Sequence, residues 1–372
     1  MSTRRGLAIG CGGLLGFAWT AVALDAVERA MNWDVRTADV LIGTSAGAEI
    51  VAALGSGRTP TDLLAALDAT PGADEVLAGH VAVDPGKLPP LPGLGLPALG
   101  LLGAGVRAGS AYTALAGLLP RGRGDAGWLR AYGRALADSD GWVSHPATWL
   151  VAAEASTGVR TTFGAQGRVG AAARGQAFGP HSEVSRNVQV AAEVPGRRVE
   201  VARSGVDADV ASIEDAAVHK DSSCRSAADL GDAIAASWAI PGWFPPVQIG
   251  GRSYVDGGSV SSVSADLLLP LELDEVVIVA PMTSAGGAPA TGLDRIERLL
   301  RAQMTRVLDR EVALLQAAGT RVIRVEPGPG ELAAMGPNFM DSARRPATLA
   351  AARRDVPARV ATAIRTAHRE FA

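Results

Sequence analysis

The sequence predicts an α/β fold of three layers, with a central, mostly parallel sheet between two layers of helices, arranged as a single domain over residues 1–372. Two observations carry this expectation. Short apolar runs alternate with helix-spaced segments from the start of the chain, and strands interleaved with helices favour a parallel sheet covered on both faces. A chain of 372 residues with 48% hydrophobic content also has enough apolar surface to bury a large core.

The elements follow in order. Leu7–Ile9 reads as a strand, Gly10–Gly16 as a glycine-rich turn, and residues 17–31 as a helix whose Phe17, Leu24, Val27 and Met31 keep roughly helical spacing. The same opening, MSTRRGLAIGCGGLLGFAWTAVALDA, has the basic start, apolar middle and small residues of a secretory or twin-arginine signal. The strand–turn–helix reading prevails if the turn belongs to a functional site. No run reaches the ~18 uninterrupted apolar residues of a spanning helix. A strand is expected at 39–42, a helix at 47–56, and a further helix from Pro60 to about Ala69. Val81–Gly109 then holds too much proline and glycine for a regular element, yet is rich in leucine. It reads either as an irregular segment or short helices packed on the core, or as a lid or lipid-facing patch.

Thr148–Ser156 reads as an inner strand with a turn at Thr157 and Gly158, and residues 164–222 as an insertion with short alternating stretches. Ser226–Ile240 is a helix stopped by Pro241. VQI and RSYV flank Gly250-Gly251, which suits a two-residue hairpin turn. Glu275–Ala280 is a buried strand, Gly292–Ala318 a long amphipathic helix, Arg321–Glu326 a strand, and a last helix runs from about Pro346.

The formal net charge of -3 gives no electrostatic case for a nucleic-acid partner. Cys11 and Cys224 are the only cysteines, too few for a disulfide framework or a zinc site. A reducing, cytoplasmic setting fits best, with transient contact to a membrane surface around Leu91–Leu102.

The chemistry concentrates at three glycine-rich turns. Gly43-Thr44-Ser45-Ala46-Gly47 fits the nucleophile elbow, in which a strand turns sharply into a helix and exposes a strained serine. With 45 glycines in the chain the pattern also arises by chance, as an ordinary tight turn. Its setting, DVLI before and AGAEIVAALGSG after, supplies the strand and helix that the elbow requires. Only some forty residues precede Ser45, whereas an α/β-hydrolase builds several strands before its nucleophile. The first turn, GCGGLLG, offers Gly12 and Gly13 as N–H donors for an oxyanion, together with Ala46. Neither frame of that turn completes a dinucleotide fingerprint. The third turn, YVDGG, brings Asp256 to a strand end with Gly257 and Gly258 behind it. It is either an ordinary Asp-Gly turn or the site of a base. Aspartate, with an ordinary pKa near 3.9, needs burial or alignment to deprotonate a serine.

Together these turns resemble the patatin-like phospholipase family. LAIGCGGLLGFAWTAVALDAVERA is similar to its opening strand, oxyanion loop and first helix. LIGTSAGAEIVAALGSG is similar to its elbow, LVAAEASTGVRTTF to its middle strand, and AASWAIPGWFPPVQIGGRSYVDGG to its run into Asp-Gly-Gly. The resemblance implies a patatin-like α/β/α fold and a lipid acyl hydrolase with Ser45 as nucleophile and Asp256 as its base. It further implies an oxyanion hole of Gly12, Gly13 and Ala46, and motif glycines at 10, 16, 43, 47, 257 and 258 (Gly10, Gly16, Gly43, Gly47, Gly257 and Gly258). The substrate is then a lipid or other acyl ester, and no metal or organic cofactor is required. An acyltransferase on the same dyad, or a silent lipid-binding protein, are the other readings. The chain departs from the family at Cys11, where a glycine is usual, and at Leu15, where a basic residue is usual.

His80, His145, His181, His219 and His368 are expected in loops or the terminal helix, at surface or turn positions. Trp238 and Trp243, flanking Pro241, are expected to pack in the core near the mouth of the site, with contact to an acyl chain as the alternative.

Overall fold

The computed structural model describes residues 3–90, 98–107, 111–164, 228–284, 287 and 294–371. In chain order these form β1 (Arg5–Ile9), α1 (Gly13–Met31), β2 (Val40–Thr44), α2 (Ala46–Gly55), α3 (Pro60–Leu67), α4 (Glu75–Val81), α5 (Leu99–Arg107), α6 (Ala111–Leu118) and α7 (Gly127–Leu136). After these come β3 (Thr148–Glu154), β4 (Arg160–Phe163), α8 (Leu230–Ser237), β5 (Val247–Ile249), β6 (Arg252–Asp256) and β7 (Glu275–Val279). The chain closes with α9 (Asp294–Ala317), β8 (Arg321–Val325), α10 (Pro329–Met335) and α11 (Arg345–Glu370).

The strands make one sheet in the order β5-β6-β3-β2-β1-β7-β8, with β4 also paired to β3. The run from β3 through β2, β1 and β7 to β8 is parallel. The β3–β4, β3–β6 and β5–β6 pairs are antiparallel. The expected α/β class with a mostly parallel sheet is therefore the observed one.

Alternation along the strands explains the layers, because successive side chains point to opposite faces. Leu7, Ile9, Leu41, Val277 and Val279 join one core with α1, α2, α3, α8 and α11. Ala8, Val40, Ile42, Val276 and Ile278 join the other with Leu308 and Leu315 of α9 and the Ala265–Leu273 segment. Sheet residues buried on both faces read as continuous apolar runs, which is why the inner strands were visible in the sequence. The carboxylate of Glu275, buried at the start of β7, ties three strands together by pairing with Arg5 and Arg321, each at 2.7 Å.

Three expectations change or narrow. The first helix starts at Gly13 rather than residue 17, and it is buried nearly all round to Leu24 because α11 covers the side turned away from the sheet. The Val81–Gly109 stretch narrows to one of its alternatives, a short helix packed on the core over Leu99–Arg107: α5 pairs with α6 so closely that a Cβ on Gly105 or Gly117 would overlap the facing backbone. There the glycines serve helix packing rather than breaking the helix. Leu101 is fully buried against Ala153 and Val255, so the expected lipid-facing stretch 91–102 is partly core, and residues 91–97 lie outside the described residues. Almost all of the expected insertion, residues 165–222, also lies outside them.

Candidate active site

Register brings Ser45 and Asp256 together. Thr44, the last residue of β2, lies opposite Val151 of β3, and Asp256, the last residue of β6, lies opposite Ala152. The two strand ends thus reach successive residues of the same strand. Ser45 and Asp256 line one small cavity, where the serine hydroxyl favours the ionised form of the carboxyl, and both residues are buried.

Ser45 has φ 58° and ψ −121°, a conformation that a side chain adopts only under constraint. Its neighbours impose it. A Cβ on Gly43 would overlap the Gly47 carbonyl, and one on Gly47 would overlap the Ile9 carbonyl. Small residues on either side therefore let the strand turn into α2 within a single residue. The Ser45 N–H donates to Ser237 Oγ at 2.8 Å, and Ser237 Oγ donates to the Val151 carbonyl at 2.6 Å. α8 thereby braces the elbow against β3.

Asp256 is held at both ends. Its N–H donates to the Ala239 carbonyl at 3.0 Å, and its Oδ1 accepts from the Gly258 N–H at 2.7 Å. Burial pushes its pKa up to about 7, against the opposing pull of the nearby Ser45 hydroxyl and of the Gly258 N–H; the carboxyl of Glu49 adds to the rise. Burial is the help that an aspartate needs to act as a base near neutral pH.

The glycine turn after β1 completes the setting. Gly13 takes φ +56°, and a Cβ there would run into the Phe339 ring. The N–H groups of Gly12, Gly13 and Ala46 find no acceptor among the described residues. Those of Gly10 and Cys11 are spent on the Val279 and Ser262 carbonyls at 2.9 and 2.8 Å. Gly12 and Gly13 line a small cavity of about 50 Å³ together with Ser45, Asp256, Gly258 and Ser259. Its apolar wall is Cys11, Ile240, Met282, Met304 and Phe339. Ala46 lies behind Ser45 as the first residue of α2 and is not part of that lining. Gly10 and Gly16 act by close approach, to the Ser262 carbonyl and to Pro281 respectively, and Gly257 lies against Val151.

The two departures from the family pattern have separate consequences. Leu15 is fully buried and belongs to the core of the helical layer, and its N–H donates to the Phe339 carbonyl at 3.1 Å. Cys11 turns its thiol into the cavity wall, where burial and the neighbouring Asp256 hold it far above the usual thiol range. It is therefore a packing residue rather than a nucleophile.

Two features of this region escaped the sequence reading. The first is Arg301 of α9, buried beside the cavity, whose Nη1 donates to the Pro281 carbonyl at 2.6 Å and whose Nε donates to Glu297 at 2.8 Å. The turn it holds, Pro281–Thr283, carries Met282 into the cavity wall and presses on Gly12 and Gly16. Arg301 keeps step with the buried Met304, Leu308 and Leu315, three, seven and fourteen residues on, so the spacing of α9 places it inward and only its charge argued for the surface. The second is His80, which corrects the expectation of a surface histidine. It is buried in α4, 3.5 Å from Glu49 and stacked on Tyr132 at 3.7 Å between ring centroids. Glu49 stands in the first turn of α2, one turn from Ser45, so a carboxylate four residues after the elbow serine was the available signal. His145 is half-buried and bonded to the Ala38 carbonyl at 2.9 Å, and His368 is exposed. His181 and His219 lie outside the described residues. None of the described histidines touches Ser45. Trp238 and Trp243 are buried and Trp238 packs edge-on to Trp128 and Phe244, so core packing is their role.

Among the described residues, no helix is long and apolar enough to cross a membrane. A comparison with curated proteins gives no match. Over residues 154–269, from the end of β3 through Asp256 and beyond, the chain matches the family model of patatin-like phospholipase, the family that its motifs resemble.

Proposed function

We propose that this protein is a lipid acyl hydrolase in which Ser45 and Asp256 act as a dyad. The observation that carries the reading is the placement of a strained elbow serine and a buried aspartate in one cavity, with Gly12 and Gly13, whose N–H groups find no acceptor among the described residues. The match to patatin-like phospholipase over residues 154–269 supports the lipid acyl class.

In the proposed reaction Asp256 accepts the Ser45 hydroxyl proton as Oγ bonds to the ester carbonyl carbon. Negative charge then develops on the carbonyl oxygen, where Gly12, Gly13 and Ala46 donate. Each such donor is typically worth ~2.7–4 kcal/mol in the transition state. As the carbon–oxygen bond to the alcohol breaks, Asp256 returns the proton to the leaving oxygen, leaving an acyl-serine. Water gives its proton to Asp256, attacks the acyl carbon, and the fatty acid departs as Ser45 regains a proton. The apolar wall of Ile240, Met282, Met304 and Phe339 suits the acyl portion of the substrate.

The test pairs labelling with turnover. A serine-directed fluorophosphonate should label the wild type and not Ser45→Ala. Hydrolysis of a phospholipid and of a soluble short-chain ester should fall at least about 10³-fold in Ser45→Ala and in Asp256→Asn. An unlabelled wild type, or full activity in folded Asp256→Asn, overturns the dyad. Product analysis with an added alcohol acceptor separates hydrolysis from acyl transfer.

A further inference from the structure

Of the eight large apolar side chains that stand exposed among the described residues, four sit on the α5–α6 hairpin or the residue after it: Val106, Leu115, Leu118 and Leu119, between 40% and 69% exposed. The last three fall at i, i+3 and i+4, which places them on one helical face. The opposite side of α6 is satisfied: Thr113 and Ala116 are buried, and the helix rests on α5 and on the Gly257–Ser259 turn behind Asp256. Neither helix carries an acidic residue. That apolar face points away from a helix that is already packed and has no packing partner among the described residues.

Charge says what meets that face. Arg107 at the end of α5, and Arg121 and Arg123 just beyond α6, are exposed and form no ion pair with any described residue. The nearest acidic side chain in sequence, Asp125, is turned to its own chain, where Oδ1 accepts from the Gly127 N–H at 2.8 Å. A cationic rim around a leucine stripe, on a chain whose net charge is -3, complements an anionic interface. A groove of about 420 Å³ runs beneath it, bordered by Leu119, Arg121, Pro241 and Val255. Pro241 follows Ile240 of the catalytic cavity and Val255 precedes Asp256.

We infer that the outer face of the α5–α6 hairpin docks on an anionic lipid bilayer, with Leu115, Leu118 and Leu119 in the acyl boundary and Arg107, Arg121 and Arg123 at the headgroups. The choice of a lipid surface rests on the acyl hydrolase reading; the docking itself is measured without turnover.

The experiment is sedimentation of the full chain, carrying Ser45→Ala to keep the lipid intact, with vesicles of phosphatidylcholine alone or mixed with phosphatidylglycerol. Binding should be stronger to the mixed vesicles. Leu115→Asp with Leu118→Asp should weaken it by roughly tenfold or more. Arg121→Glu with Arg123→Glu should abolish the preference for the anionic lipid, at about 1 kcal/mol per arginine near a charged surface, roughly fivefold each. In the Ser45 background both double variants should hydrolyse a soluble short-chain ester at the wild-type rate, which reports their folding. Variants that sediment like the parent overturn the inference, as does a parent that binds neither vesicle. Light scattering that shows a dimer broken by Leu118→Asp would assign the face to a second copy and overturn it too. Failure of the catalytic reading would appear instead as absent ester hydrolysis with vesicle binding intact.

Discussion

Ser237 Oγ joins the elbow to the sheet, accepting from the Ser45 N–H at 2.8 Å and donating to the Val151 carbonyl at 2.6 Å. The hydroxyl is fully buried, so removing it strands a backbone donor and an acceptor away from water. That costs about 1–3 kcal/mol. The brace fixes the φ of Ser45, on which the direction of its Oγ depends. Ser237→Ala should therefore lower kcat about 10- to 100-fold with KM little changed, and lower stability by the stated amount in urea unfolding. A loss confined to KM would show that the brace does not position the serine.

Asp256, with its pKa pushed up to about 7 by burial, should set the acid limb of activity if it is the proposed base. The proposed base must be ionised, so kcat/KM on a soluble ester should rise with pH and level off above about 7. An acid limb near the ordinary carboxylate range would mean that another group limits the rate.

The same carboxyl makes a stability prediction of opposite sense. Its folded pKa is raised, so the folded state holds a proton that the unfolded chain releases between pH 3.8 and about 7. Stability from this group is present below that window and is lost as pH rises through it. A carboxyl moved this far is worth on the order of 4 kcal/mol. Asp256→Asn keeps an oxygen for the Gly258 N–H and carries no charge, so it should unfold at higher urea concentration than the wild type at pH 8, with the gap narrowing towards pH 4. An inactive variant that is also less stable at pH 8 would contradict the burial cost.

Much of this site was legible because it is local. The elbow needs glycines on both sides of Ser45, and Asp256 needs the Asp-Gly turn, and both constraints leave marks within five residues. The strands that carry them were legible because burial on both faces makes β2 and β3 continuous apolar runs. What escaped detection depends on contacts distant in sequence. Ser237 lies 192 residues from the N–H it accepts, and Arg301, although in step with the buried face of α9, holds a carbonyl 20 residues away that no spacing reveals. β4 was missed because RTTF alternates too briefly to register and gains its strand state from pairing with β3. His80 lies in a helix of seven residues, EVLAGHV, too short for its spacing to mark a buried face, while its environment is built by α1, α2 and α7.

Glu49 offers a test of the electrostatics around Asp256. It is buried, its own carboxyl is pushed up by that burial, and its charge is one of the causes that raise Asp256. Glu49→Gln removes the like charge and keeps the shape of the side chain. The acid limb of kcat/KM should move to lower pH while the plateau rate is retained. A limb that stays in place would uncouple the two carboxylates.

Arg301 is the remaining group whose removal should reach the site indirectly. Its guanidinium is buried with Glu297 and holds the Pro281 and Thr283 carbonyls at 2.6 and 3.4 Å. Arg301→Met leaves Glu297 with Arg298 as its remaining guanidinium partner and frees the turn that presses on Gly12. Breaking one side of a buried ion pair typically costs about 3–5 kcal/mol. Replacing both partners, as Arg301→Met with Glu297→Gln, removes the half-paired charge while keeping an oxygen acceptor for Arg298, and should recover most of that stability. It should not recover the rate, because the carbonyls of Pro281 and Thr283 still lack their donor and the glycine loop they support stays loose. Urea unfolding and ester hydrolysis on the same two variants separate these effects: restored stability with kcat still depressed marks Arg301 as a positioning residue, whereas stability and kcat recovering together would reduce it to a member of the core.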